Sequence, residues 1–126
     1  MRPPHHPEPA GQPPDRWIAV ADSDQLVGEA ALERVVEGEL LAIFRHQGQL
    51  YALDALCAHH GGPLAEGSVA AGCVTCPWHG WTYRLADGTQ ATSGQQLIRA
   101  FPIRERDGQI EIGWSGPTKH ANSVDQ

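Results

Sequence analysis

Two short clusters constrain this chain more than anything else in it. The first is Cys57-Ala58-His59-His60-Gly61-Gly62-Pro63-Leu64 and the second is Cys76-Pro77-Trp78-His79-Gly80-Trp81, with sixteen residues between His59 and Cys76. Each offers one soft sulfur and one imidazole within a turn or two of chain. Each also carries Gly and Pro, which let a backbone fold tightly around a bound group.

The rest of the sequence reads as a β-rich, turn-rich frame. Gly (14) and Pro (10) are plentiful and charged residues make up only 19%, a balance that favours strands over helices. Short apolar segments alternate with turn signals. Trp17–Ala21 reads as a first strand, and Leu40–Arg45 with Leu50–Leu53 as a hairpin around His46-Gln47-Gly48-Gln49. Trp81–Leu85 and Thr89–Ala91 flank Asp87-Gly88, while Ile98–Glu105 and Ile110–Ile112 flank Asp107-Gly108. An Asp-Gly pair supplies the positive φ angles of a tight hairpin. Glu29–Val36 has good helix propensity, but it lies in a meander of strands and is assigned as a strand. Residues 1–15 are Pro-rich without apolar periodicity and read as a disordered tail, with 115–126 as a second loose tail. One folded domain remains, residues 16–114.

Several function classes are disfavoured. The net charge of −6 argues against nucleic-acid binding. No apolar run approaches the ~20 residues that span a bilayer. The N-terminus has no apolar stretch of the secretory kind, so a cytoplasmic location is expected. Three cysteines, an odd number, speak against a disulfide framework. In a reducing compartment, Cys clustered with His more often binds metal.

The two clusters have a chemical logic. A [2Fe–2S] cluster needs two protein ligands per iron, and replacing the thiolates on one iron by imidazoles makes the site asymmetric. Cys57 and Cys76 would serve one iron, His59 and His79 the other, so each loop spans both metals. A structural zinc site is the rival: Cys57, Cys73, Cys76 and His79 would make a Cys₃His set, with the C-x-x-C spacing of a zinc knuckle at 73–76. That set leaves His59 unexplained.

The motifs C-x-H-x-G-x-x-L-x-x-G at Cys57–Gly67 and C-P-W-H-G-W at Cys76–Trp81 resemble the Rieske [2Fe–2S] family, over roughly Trp17 to Trp114. The resemblance implies an all-β, Rieske-type antiparallel β-sandwich with a two-loop cluster-binding subdomain. It implies one [2Fe–2S] cluster held by Cys57, His59, Cys76 and His79. It makes Cys73 a buried thiol that does not ligate, and His60 a solvent-facing neighbour. Members of the respiratory branch brace their loops with a disulfide. The matching positions here are Gly62 and Trp78, so the chain resembles the ferredoxin and oxygenase branch. That branch implies a single-electron carrier between a flavin-dependent reductase and a terminal oxygenase, without catalysis of its own. The small Rieske subunit of a nitrite reductase complex, bound to its large subunit, is similar enough to stand as the alternative. In the respiratory branch a Tyr four residues past the second His donates to a ligating sulfur, and a Ser two past it helps. Here those positions are Tyr83 and Trp81.

Overall fold

The computed structural model describes residues 14–58, 61–78 and 80–115. His59, His60, His79, residues 1–13 and 116–126 lie outside them, and so do nearly all of the two expected tails. Asp15 and Ser115, where the tails would begin, are joined: the Asp15 N–H donates to Ser115 Oγ at 3.3 Å.

Nine strands form among the described residues: β1 Arg16–Asp22, β2 Ala30–Val36, β3 Glu39–His46, β4 Gln49–Asp54, β5 Ser68–Ala70, β6 Cys73–Thr75, β7 Thr82–Arg84, β8 Ile103–Arg106 and β9 Gln109–Trp114. They make three antiparallel three-stranded sheets, ordered β1-β9-β8, β2-β3-β4 and β5-β6-β7. The fold is all-β, as the sequence implies. No helix among the described residues is long and apolar enough to cross a membrane.

The middle sheet separates two cores. On one face, Leu41 and Ile43 of β3 pack with Leu26, Val36, Ala52, Ile110, Ile112 and Trp114, which joins the first sheet to the second. On the other, Ala42 and Phe44 pack with Leu53, Leu64, Val74, Tyr83 and Leu85, which joins the second sheet to the third. Successive residues of a strand point to opposite faces. A strand buried on both therefore reads as an unbroken apolar run, and Leu41-Ala42-Ile43-Phe44 is fully buried. Each large apolar side chain buried in this way contributes about 1.5–3 kcal/mol.

Glu29–Val36 is a strand in fact, and its helix propensity loses to pairing. Every residue from Ala30 to Val36 has a partner on β3, from Ala30↔Arg45 to Val36↔Glu39. The turn that sets this register, Glu37-Gly38, has φ of 52° and 81°. Asp107-Gly108 is likewise a hairpin turn with both φ positive, 54° and 79°.

Three expected elements differ. Asp87 does not share the positive φ of Gly88. Its side chain instead accepts the Thr89 N–H at 2.9 Å and the Thr89 hydroxyl at 2.7 Å, closing a local turn. Thr89 and Gln90 then form only isolated bridges rather than a strand. The expected strand Ile98–Glu105 begins only at Ile103. Before it, Pro102 has no N–H to give a ladder, and Arg99 is held by Asp54: the Arg99 N–H donates to Asp54 Oδ2 at 2.6 Å. That clamp fixes the chain leaving β4, which runs directly into the first cluster. Strands β5 and β6 are too short and too polar in part to stand out in the sequence.

Candidate metal centre

The two Cys/His clusters fold into loops closed in the same way. In the first, the Cys57 N–H donates to Gly62 O at 2.8 Å and the Gly61 N–H to Cys57 O at 2.9 Å. In the second, the Cys76 N–H donates to Trp81 O at 2.7 Å and the Gly80 N–H to Cys76 O at 3.2 Å. The offsets from the cysteine, four and five residues, are identical. Gly61 and Gly80 both sit at φ +77°, a conformation that costs a residue with Cβ roughly 1–2 kcal/mol. His59 and His79 fall between the bonded ends in sequence.

The sulfur of Cys76 lies beside the first loop. Cys57 and Cys76 are both buried and belong to the same core. A Cβ on Gly62 would stand 2.5 Å from Cys76 Sγ, 3.1 Å from Trp78 Cγ and 3.3 Å from Trp78 Cβ. Only glycine lets the first loop pass so close to the second cysteine. The same distances place Gly62 opposite Trp78, where the respiratory branch would put its disulfide, and neither residue here can form one.

Both sulfurs face a hydrogen-bond donor. Tyr83, fully buried on β7 opposite Val74, accepts the Ala58 N–H at 3.1 Å. Its own proton is then free to point at Cys57 Sγ, also 3.1 Å away. Burial first, and the adjacent sulfur second, push the Tyr83 hydroxyl well above the ordinary tyrosine range, so it stays a neutral donor. The Trp78 N–H donates to Cys76 Sγ at 3.5 Å. The sequence leaves Tyr83 open as either a donor to a sulfur or a strand aromatic, and the structure supplies the donor geometry. Sequence reading misses Trp78, because a backbone donor leaves no mark in residue type.

Cys73 is half-buried rather than buried. It is the first residue of β6 and pairs with Ala70 and Arg84, while its neighbour Val74 points into the core that holds Cys57 and Cys76. Strand alternation therefore turns Cys73 away from those two sulfurs, against the Cys₃His zinc set. Two buried soft sulfurs, each with a donor, a loop opened by a missing Cβ and one candidate imidazole in each sequence motif suit an iron–sulfur group.

The model of the Rieske [2Fe-2S] domain matches residues 16–102. The chain belongs to the Rieske [2Fe–2S] domain family. It carries one [2Fe–2S] cluster accordingly. It is 32% identical over 97 residues to the anthranilate 1,2-dioxygenase ferredoxin subunit of Burkholderia cepacia, covering 76% of this chain and 90% of that protein. It is 44% identical over 124 residues to the cholesterol 7-desaturase nvd of Drosophila melanogaster, covering 82% of this chain but 28% of the desaturase. The fold matches a chain of the reduced complex between oxygenase and ferredoxin in carbazole 1,9a-dioxygenase, with a TM-score of 0.73 and 27% identity over 83% of this chain and 30% of that one.

Proposed function

We propose that this Rieske protein is a one-electron carrier that takes electrons from a flavin-dependent reductase and hands them to a terminal oxygenase. Cys57 and Cys76 hold one iron, His59 and His79 the other. The observation that carries this reading is the pair of identically closed loops whose cysteines are both buried in one core, with Gly62 of the first loop against Cys76 Sγ. The ferredoxin subunit of anthranilate 1,2-dioxygenase, spanned to 90%, supports the partner class.

When bound, the cluster supplies a one-electron Fe³⁺/Fe²⁺ couple whose reducible iron is the imidazole-held one. The chain does the rest. The Tyr83 hydroxyl and the Trp78 N–H donate hydrogen bonds to the two sulfurs and favour the more negative, reduced state. The core around Cys57 and Cys76 excludes water from the thiolate side. The potential should sit near the low end of the Rieske range, about −150 to 0 mV, because the bracing disulfide is absent.

The partner docks on the loop tips: His60, Gly61, Gly62, Pro63, Trp78 and Gly80. Trp78 is 58% exposed although it is a large apolar residue beside the metal centre. Redox encounters of this kind bury less than about 1,200 Å². Stopped-flow mixing of the reduced protein with an oxidised terminal oxygenase tests the proposal. Trp78→Ala should slow transfer while leaving the potential and the cluster's lifetime unchanged. Unchanged transfer per intact cluster, with faster cluster decay, would make Trp78 a shield and refute the docking face.

A further inference from the structure

His46 is the buried polar side chain of the described core, 6% exposed, and the electron-carrier reading gives it no task. It ends β3, at the tip of the hairpin with β4. Its Nε2 accepts the Gly72 N–H at 3.1 Å, so the ring proton sits on Nδ1. Nδ1 donates to Glu29 Oε1 at 2.7 Å, and Glu29 Oε2 accepts the Gln47 N–H at 2.7 Å. Each polar atom of the ring is used, and the carboxylate fixes the tautomer that Gly72 requires.

The bond crosses between two sheets. Gly72 is the second residue of the β5–β6 turn, Ala71-Gly72, with φ of 54° and 81°. At the Glu29 end of this tie a surface cleft of about 340 Å³ opens between Glu29, Ala31 and Arg45 on one side and Ala65, Gly67 and Val69 on the other. A polar tie matters most where packing is incomplete. From Gly72 the path to the metal centre is short. The Gly72 carbonyl accepts the Leu85 N–H at 2.9 Å, and Val74, two residues on, pairs with Tyr83.

We propose that His46, oriented by Glu29, is a positioning residue for the cluster: through Gly72 it sets where the β6–β7 pair holds the Tyr83 hydroxyl against Cys57 Sγ. The inference rests on the cluster reading above. Loss of the Gly72 bond lets the turn drift and weakens the donor on the sulfur, which lowers the potential.

Two substitutions separate the ring's two atoms. His46→Gln keeps an acceptor near the Nε2 position. His46→Asn keeps a donor near Nδ1 but is too short to reach Gly72. Potentials are measured electrochemically on protein with full iron and sulfide content, alone and in a Tyr83→Phe background. His46→Asn should lower the potential, His46→Gln should keep it at the wild-type value, and His46→Asn should add no further shift once Tyr83→Phe is present. Glu29→Ala, a change at an exposed residue, carries the same test if His46→Asn assembles poorly. An unchanged potential in both, or a shift that adds fully to that of Tyr83→Phe, overturns the proposal. Wild-type protein lacking iron and sulfide would instead refute the cluster reading.

Discussion

The two cores of this molecule are built on opposite principles. The core between the first and second sheets rests on strands of six to eight residues, the four-residue β8 apart, and is built mainly from carbon side chains such as Leu41, Ile43, Ile110 and Ile112, the buried Trp114 indole nitrogen apart. The core between the second and third packs β3 and β4 against strands of only three residues, and it buries two sulfurs and a tyrosine hydroxyl. The first is stable by hydrophobic burial. The second buries the two sulfurs proposed to bind the metal, so metal binding would contribute directly to its folding. The difference assigns stability to one half of the protein and function to the other.

Removing a ligand should break the comparison most sharply. Cys57→Ala or Cys76→Ala should abolish the cluster. Amide exchange should then rise in β5, β6 and β7 while β2, β3 and β9 keep their protection. Uniform loss of protection across all nine strands would show that the first core does not stand alone. Gly62→Ala comes next. Its Cβ would lie 2.5 Å from Cys76 Sγ, so either the sulfur or the loop must move, at about 1–3 kcal/mol. Iron content at a fixed iron supply should fall, and wild-type loading would mean that the loops are less closely apposed than the backbone implies.

Tyr83→Phe removes one donor and little volume. The potential should fall by roughly tens of millivolts, corresponding to about 1 kcal/mol or less, with the cluster retained. An unchanged potential would leave Tyr83 as a packing residue. The smallest effect belongs to the first core. Arg45 grips Glu105 through two bonds, 3.2 and 3.0 Å, and holds its carboxyl below the usual range. A carboxylate with a depressed folded value stabilises above its unfolded value, and that contribution disappears as pH falls through the folded value. Glu105 is solvent-exposed, so Glu105→Gln should cost well under 1 kcal/mol at pH 7 and nothing once the pH has fallen below its lowered folded value. A thermal melt against pH checks the convergence of the two proteins in acid.

The same division explains what could be read from the sequence. β3, β4 and the Asp107-Gly108 hairpin are legible because apolar runs and turn residues mark them directly. The ligand motifs are legible because soft sulfur, imidazole and glycine recur at fixed offsets in both loops. Of the third sheet only β7 is legible, within the expected Trp81–Leu85. Ser68–Ala70 and Cys73–Thr75 are strands because Ala71-Gly72 turns tightly between them and Tyr83 packs on Val74, and neither fact has a periodic signature. Asp87-Gly88 does turn the chain back, since Tyr83 bridges Gln90 and the Ala91 N–H donates to Thr82 O, but the second arm is too short to form a strand of its own. His46 is invisible, since its partners are a backbone N–H 26 residues away and a carboxylate 17 residues away.

Ligation of the cluster by two cysteines and two histidines is the central claim, and pulsed EPR of the reduced protein tests it most directly. With histidine labelled by ¹⁵N, two strongly coupled nitrogens should be present in protein that holds about two irons and two labile sulfides per chain. His59→Ala or His79→Ala should remove native loading altogether. A cluster with no coupled nitrogen, or stoichiometric zinc without labile sulfide, would contradict the account.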